Sequence, residues 1–214
     1  IRLIERLDRR GTPDENVQPE VFAAEPTEAL EELQLLLQSA QPVRIIEGID
    51  VANIAGAEAV GSLVKFIDGK PFKSGYRRFK IKTVKGIDDY AMIAEVVRRR
   101  YKYALAGEEL WPDLVLIDGG LGHLHAAEEA FREMTASIRN REPRATSHEQ
   151  RATRIASIAK REEVIFLQGS SRPLKLLRHS PALKLLQYVR DEAHRFAQHY
   201  HHILRNKKML NKKS

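Results

Sequence analysis

The 214 residues of this chain include no cysteine. This absence excludes disulfide bonds and thiolate metal sites, so any bound metal must use oxygen and imidazole ligands. No apolar run approaches the roughly 20 residues of a membrane-spanning helix, and the first six residues lack the apolar core of a signal peptide. We therefore expect a soluble protein of a reducing compartment, the cytoplasm, with no membrane partner.

The hydrophobic content of 43% is sufficient to build a core without covalent crosslinks. Because the chain begins at Ile1, we expect it to be part of a longer polypeptide. We predict a connector over residues 1–42, with a lead-in over 1–25 and one short amphipathic helix over 26–40. The second region, residues 43–214, is predicted to be a single α/β domain.

The order of elements in this second region predicts its fold class. Three strands are expected first, over 43–51, 57–67 and 72–84, and Asp68-Gly69 predicts that the second and third are antiparallel. Alternating elements follow: helices beginning near residues 88, 123 and 180, strands over 113–117 and 154–158, a polar loop over 136–152 and a small hairpin over 164–173. The last helix is predicted to be long and to end near residue 205. This order is typical of a ribonuclease H-like mixed sheet flanked by helices.

Two aspartates stand at the ends of strongly apolar runs. Asp118 follows the run 114–117 and precedes Gly119-Gly120, and Asp50 ends the run 44–50. A β-branched run of this length predicts a strand buried on both faces, and a glycine pair allows a sharp turn after it. If the two strands are neighbours, both carboxylates lie at one edge of the sheet and predict a site for Mg²⁺ or Mn²⁺.

Two further residues are candidates for this site. Asp89 could join from the start of its helix, although an Asp88-Asp89 pair is more often an N-terminal cap than a ligand pair. His194 lies on the last helix and could bind metal or act as a general acid or base. The alternative for His194 is an incidental histidine on a salt-bridged helix surface.

The net charge of +7 is concentrated in clusters at 76–82, 98–102 and 205–213. A single basic cluster is usually a solvated surface, but three clusters, two of them with aromatic residues, favour a phosphate-backbone partner. We expect DNA contacts from the basic residues predicted to flank the aspartates, which are Arg77, Arg78, Lys80, Arg99, Arg100, Lys160, Arg161 and Arg195.

Several blocks of sequence, in order, resemble the C-terminal nuclease half of the UvrC family, the incision subunit of bacterial nucleotide excision repair. The blocks are residues 47–53, 76–81, 88–92, 113–120, 159–163 and 180–197. The resemblance implies a metal-dependent ribonuclease H-like endonuclease that cuts the damaged DNA strand on the 5′ side of a lesion. Its functional positions would be Asp50, Asp89, Asp118 and His194, with Asp50 and Asp118 holding the metal. Other excision-repair proteins would bind through regions absent from this chain.

The chain departs from the family pattern at Ala52, Gly75 and His123, where serine, glutamate and glutamine are usual. These positions neighbour the expected ligands and could affect their orientation. Two alternatives to the enzyme remain open. One is a non-catalytic nucleic-acid-binding module with the same fold and basic surface, and the other is a protein-interaction domain, which leaves the paired strand-end aspartates unexplained.

Overall fold

A computed structural model of the protein describes residues 26–52, 59–84, 86–105, 110–139 and 153–211. The predicted lead-in over 1–25 and most of the predicted polar loop, residues 140–152, lie outside the described residues. The described strands are β1 (Ile45–Ala52), β2 (Val60–Ile67), β3 (Lys70–Pro71), β4 (Arg77–Lys80), β5 (Leu114–Asp118), β6 (Arg154–Ala159) and β7 (Val164–Leu167). The described helices are α1 (Pro26–Leu36), α2 (Asp89–Leu105), α3 (Leu121–Arg139) and α4 (Pro181–Asn211).

The seven strands form one mixed sheet in the order β3-β2-β1-β5-β6-β7, with β4 also paired to β2. The leading strands are antiparallel to one another, β1, β5 and β6 are parallel, and β7 returns antiparallel to β6. The expected ribonuclease H-like sheet with a leading antiparallel meander is therefore confirmed. The tight turn at Asp68-Gly69 is also confirmed, since both residues have positive φ angles between β2 and β3.

The third predicted strand differs from the structure, because it is divided into β3 and β4 by a 3₁₀ turn at Lys73–Gly75. Residues 72–76 face only Val64 and Lys65 of β2, so the additional residues cannot join the ladder and bulge out of it. The strand also ends earlier than predicted. The backbone amides of residues 82 and 83 donate to the Glu95 carboxylate of α2 instead of to a neighbouring strand.

Helices cover both faces of the sheet, which explains the unbroken apolar run in β5. Alternate residues of each strand point to opposite faces. Ile46 and Leu116 pack in a core with α1 and α4, whereas Ile49 and Ile117 pack in a second core with α2 and α3. By the same alternation, Asp50 and Asp118 lie on the α4 face of the sheet.

The helix α1 packs against α4, and its Ala29 and Leu33 are fully buried in the same core as the sheet. Ser180 caps α4 as predicted, because its Oγ accepts the Leu183 amide at 3.1 Å. Glu32 of α1 adds a second cap by accepting the Ala182 amide at 2.9 Å and the Ser180 hydroxyl at 2.8 Å. The boundary at residue 42 stays a prediction, but α1 shares a core with the domain.

The helix α4 has 31 residues and ends at Asn211, later than the predicted end near residue 205. Among the described helices, none combines the length and the apolar character that crossing a membrane requires.

Candidate metal centre

The strands β1 and β5 deliver two carboxylates to one edge of the sheet. Ile49 and Ile117 form the last pair of this parallel ladder, so Asp50 and Asp118 follow side by side at the carboxyl ends of their strands. Gly119 has a φ of 148°, a conformation that favours glycine, and turns the chain away immediately after Asp118. The sequence pattern of an apolar run, an aspartate and a glycine pair thus places Asp118 at the strand end.

The third side chain, His194, comes from α4, which lies unusually close to β1. A Cβ added at Gly48 would be 2.6 Å from the Val189 Cγ1, so only glycine permits this approach. One turn later, the Ser62 Oγ lies 3.2 Å from the Ala193 carbonyl oxygen, which fixes the helix against β2. Together these contacts set the distance and the register that bring His194 over the two aspartates.

Asp50, Asp118 and His194 converge, with one potential ligand atom of each within 4.8 Å of the others. The His194 Nδ1 is 3.2 Å from the Asp50 Oδ2, and the Gln198 side-chain amide nitrogen is 2.9 Å from the His194 Nε2. Because the amide nitrogen can only donate, Nε2 accepts and the ring proton is assigned to Nδ1, which donates to Asp50. The histidine is therefore held between the site and its own helix.

The electrostatics of this cluster favour a bound cation. Burial, followed by the charge of Asp118, raises the pKa of Asp50 to about 6, although His194 opposes the shift. Burial also raises the pKa of Asp118, against the lowering effects of Arg190, His194 and Lys160. A buried carboxylate and a partly buried neighbour, both with raised pKa values, are poorly compensated by the protein, and a divalent ion would supply the missing positive charge.

The donor set fits Mg²⁺ or Mn²⁺. Both ions accept carboxylate oxygens, bonds to Mg²⁺ are about 2.1 Å long, and opposed ligand atoms can therefore be about 4.2 Å apart. The observed spacing within 4.8 Å requires only a small side-chain adjustment to reach this value. Asp50 and Asp118 offer the carboxylate oxygens that such an ion would need.

Arg190 is a neighbour of the site that the sequence patterns did not single out. It is 7% exposed, and its Nε and Nη2 donate to the Asp191 Oδ1 at 2.8 and 2.7 Å. Its Nη1 is buried and has no hydrogen-bond partner among the described residues. The signal for this residue was its position four residues before His194, because such spacing places both side chains on one face of α4.

Asp89 is the first residue of α2, and it does not belong to the convergent group of three within the described residues. Asp88 acts as the helix cap, since its Oδ1 accepts the Ala91 amide at 3.0 Å. The capping interpretation is thus confirmed for Asp88, whereas a catalytic role for Asp89 stays a prediction.

Most of the expected DNA-contacting residues are exposed, but Arg100 is not. Its guanidinium is 4% exposed and donates to the buried Glu47 carboxylate at 2.6 Å, so it cannot reach a phosphate group. The expectation of a DNA contact from Arg100 is corrected accordingly. Arg99 is half-buried and donates to Glu95 and to the Lys80 carbonyl oxygen. The exposed residues are Arg77, Arg78, Lys80, Lys160, Arg161 and Arg195.

Two of the exposed arginines contact side chains of α4, and one of them, Arg195, belongs to that helix. The Arg78 guanidinium carbon lies 4.2 Å from the centroid of the Phe196 ring, and Arg195 makes a bidentate pair with Glu192 at 2.6 and 2.7 Å. Tyr76 joins them through a 2.9 Å hydrogen bond to Glu192. These contacts connect the basic strand β4 to the helix that carries His194.

The family model described as the UvrC RNase H endonuclease domain matches residues 34–198. The chain belongs to this family. Among curated relatives, the UvrABC system protein C of Methanosarcina mazei is 42% identical over 86% of this chain and 32% of that protein. The same-named protein of Dehalococcoides mccartyi strain BAV1 is 46% identical over 86% of this chain and 29% of its own length. The chain thus spans about a third of the UvrC proteins that it matches.

Among solved structures, a Ciona intestinalis endonuclease V in complex with DNA is 18% identical, with a TM-score of 0.38. The match covers 57% of this chain and 48% of that chain. Because this likeness is slight, the UvrC fold assignment rests on the strand order and on the family match.

Proposed function

We propose that this chain is a metal-dependent endodeoxyribonuclease domain that makes the 5′ incision near a lesion in nucleotide excision repair. The observation that carries the proposal is the convergence of Asp50, Asp118 and His194 at the carboxyl ends of β1 and β5. Membership of the UvrC endonuclease family supports it. A purely DNA-binding module would have no need of two poorly compensated carboxylates, one buried and one partly buried, side by side.

The residues present suggest a division of roles. Asp50 and Asp118 would hold Mg²⁺ or Mn²⁺, which when bound lowers the pKa of water and stabilises charge on the phosphate. His194 lies at the edge of this site with its Nδ1 hydrogen bonded to Asp50, so it is proposed to orient the attacking water and, once Nδ1 has passed its proton to Asp50, to accept the proton that the water loses. Arg190 would contribute fixed positive charge beside Asp118, and Asp89 is retained as a supporting carboxylate.

The domain is proposed to act within a longer protein. The relatives named UvrABC system protein C are about three times the length of this chain, and their name refers to a system of several components. We propose that other excision-repair proteins bind through regions outside this chain. Because the DNA of a bacterium or an archaeon lies in the cytoplasm, we place the domain there.

Cleavage of a labelled bubble duplex tests the proposal most directly. We expect cutting with Mn²⁺ or Mg²⁺, no cutting in EDTA, and loss of cutting in Asp118→Asn, because the variant removes ligand charge at nearly constant shape. The matched control is Asp68→Asn, which changes an exposed aspartate in the β2–β3 turn. A wild-type rate for Asp118→Asn would refute the metal assignment, whereas DNA binding without any cutting would favour the binding module.

The exposed basic residues define the proposed DNA surface. Reversing Arg77 and Arg78 to glutamate should weaken binding to all duplex sequences and make the log-log salt dependence shallower by roughly 0.9 for each phosphate that the variant no longer neutralises. The control changes Arg44 and Arg132 to glutamate, so the change in net charge is the same. Both are exposed arginines that lie away from the strand ends that carry the site. Equal changes in slope for both double variants would mean that only net charge matters and that β4 does not contact DNA.

A further inference from the structure

An exposed aromatic side chain lies at the end of the sheet that carries the candidate metal centre. Tyr90 is the second residue of α2, and it is 53% exposed. Its ring lies edge-on to the His123 ring, with centroids 4.9 Å apart and an angle of 70° between the ring planes. His123 follows Asp118 by five residues at the start of α3, so the aromatic pair lies at the same end of β5 as the metal ligands.

The position of this pair is fixed by two glycines. A Cβ added at Gly122 would be 2.7 Å from the Tyr90 hydroxyl oxygen, and one added at Gly119 would be 2.4 Å from the His123 Cγ. Both rings therefore lie against bare backbone, and a larger residue at either position would displace them. Tyr90 is thus packed against Gly122 and His123 and nevertheless leaves about half of its surface in solvent.

The surroundings are suited to a nucleic acid. Lys160 is exposed and close enough to act on the Asp118 carboxylate, and Arg161 follows it in the turn between β6 and β7. An exposed aromatic ring beside cationic side chains is the combination that stacks unpaired bases while the backbone is held electrostatically. A base inside an intact duplex is already stacked on its neighbours, so the ligand must carry a locally unpaired base.

We propose that Tyr90, supported by His123, is a stacking platform for an unpaired nucleobase next to the phosphate that is cut. This inference rests on the proposed nuclease function and extends it, because it assigns the site a preference for DNA that is unpaired at the incision point. Tyr90 would then contribute to the choice of substrate and would take no part in the chemical step.

The test measures binding in Ca²⁺, in place of Mn²⁺ or Mg²⁺, to a bubble duplex that carries 2-aminopurine in the unpaired region. Tyr90→Leu keeps an apolar side chain over Gly122 but removes the aromatic face. We expect it to weaken binding by about 5- to 150-fold, the usual loss for one stacked base. It should also reduce the quenching of 2-aminopurine, and it should leave the salt dependence unchanged because every phosphate interaction is retained.

Two variants serve as controls. Tyr90→Phe keeps the ring and should bind like the wild type. Tyr103→Leu changes another tyrosine of α2 that is equally exposed, at 51%, but lies near the opposite end of the helix. It should also bind like the wild type. Because Tyr90 and Tyr103 are both half-exposed, neither leucine substitution should prevent folding, and thermal melting checks this directly.

The outcomes separate this inference from the function on which it rests. If Tyr90→Leu binds and quenches like the wild type while Asp118→Asn abolishes cutting, the platform is wrong and the nuclease stands. Equal losses in the Tyr90 and Tyr103 variants would also overturn the platform. If the wild-type protein binds no DNA, the proposed function fails and the platform fails with it. If Tyr90→Leu does not fold, the wild type and Tyr90→Phe decide the question. Quenching of 2-aminopurine by both proteins supports the platform. No quenching by either protein refutes it.

Discussion

Two carboxylates on β1, Glu47 and Asp50, lie three residues apart on opposite faces of the sheet and are almost equally buried. Glu47 is surrounded by donors: the Arg100 Nη2 at 2.6 Å, the Tyr101 hydroxyl at 2.8 Å and the Lys65 Nζ at 3.5 Å. Asp50 has one side-chain partner, His194, and a second carboxylate close by. Burial alone therefore does not identify a functional acid, whereas the lack of compensating charge does.

The largest difference between the two carboxylates should appear in stability. Glu47→Gln removes the buried negative charge that faces Arg100 and Lys65, and we expect it to lower the free energy of unfolding by roughly 3–5 kcal/mol. Asp50→Asn removes a charge that is poorly compensated in the metal-free protein and should not destabilise it. Urea denaturation in EDTA measures both.

An exposed pair provides the control for that experiment. Asp68→Asn breaks only the solvent-exposed bond to Arg44 and should cost no more than about 1 kcal/mol. If Glu47→Gln is as mild as Asp68→Asn, the buried cluster around Glu47 is not a structural requirement. The comparison between the two faces of β1 would then fail.

A smaller effect is expected from Gly48→Ala, which tests whether the close packing of α4 on β1 is required. The added Cβ would lie 2.6 Å from Val189, so α4 must move, at a cost of about 1–3 kcal/mol. The displacement should also weaken Mn²⁺ binding, measured by titration calorimetry, because His194 leaves the aspartates. Gly120→Ala is the control, since nothing lies within 4 Å of its added Cβ. Normal Mn²⁺ binding by Gly48→Ala would show that the approach of α4 does not set the site.

The most gradual effect is spread over a range of pH. The folded pKa of Asp50, about 6, is higher than the unfolded value near 3.9, so ionisation opposes folding in the metal-free protein. Wild-type stability should therefore fall, relative to Asp50→Asn, as the pH rises from about 4 to about 6. The total change is on the order of 3 kcal/mol, since each pKa unit corresponds to about 1.4 kcal/mol. Parallel stability curves for the two proteins in EDTA would contradict the raised pKa.

The sequence predicts well what depends on short-range patterns. Apolar runs located β1 and β5, the aspartates that follow them located the site, and Asp68-Gly69 located the turn before β3. Other features depend on pairing between distant segments. The bulge over 72–76 arises from the register with β2, and the burial of Arg100 arises because Glu47 lies across from α2. A cluster of basic residues in the sequence could not distinguish Arg100 from its exposed neighbours.

The double cap on α4 affects how short a fragment of this domain can be made. The family match begins at residue 34, whereas Glu32, which binds the first turn of α4, precedes it. A fragment trimmed to residue 34 would lose that carboxylate and most of α1, and would expose the apolar surface that Ala29 and Leu33 cover. In such a fragment the Ala182 amide, in the first turn of α4, would lose its Glu32 acceptor. The core residues of α1 that pack beside this turn would also be lost. A stable fragment of this domain is therefore expected to need α1, which begins at Pro26, eight residues ahead of the boundary that family similarity alone would suggest.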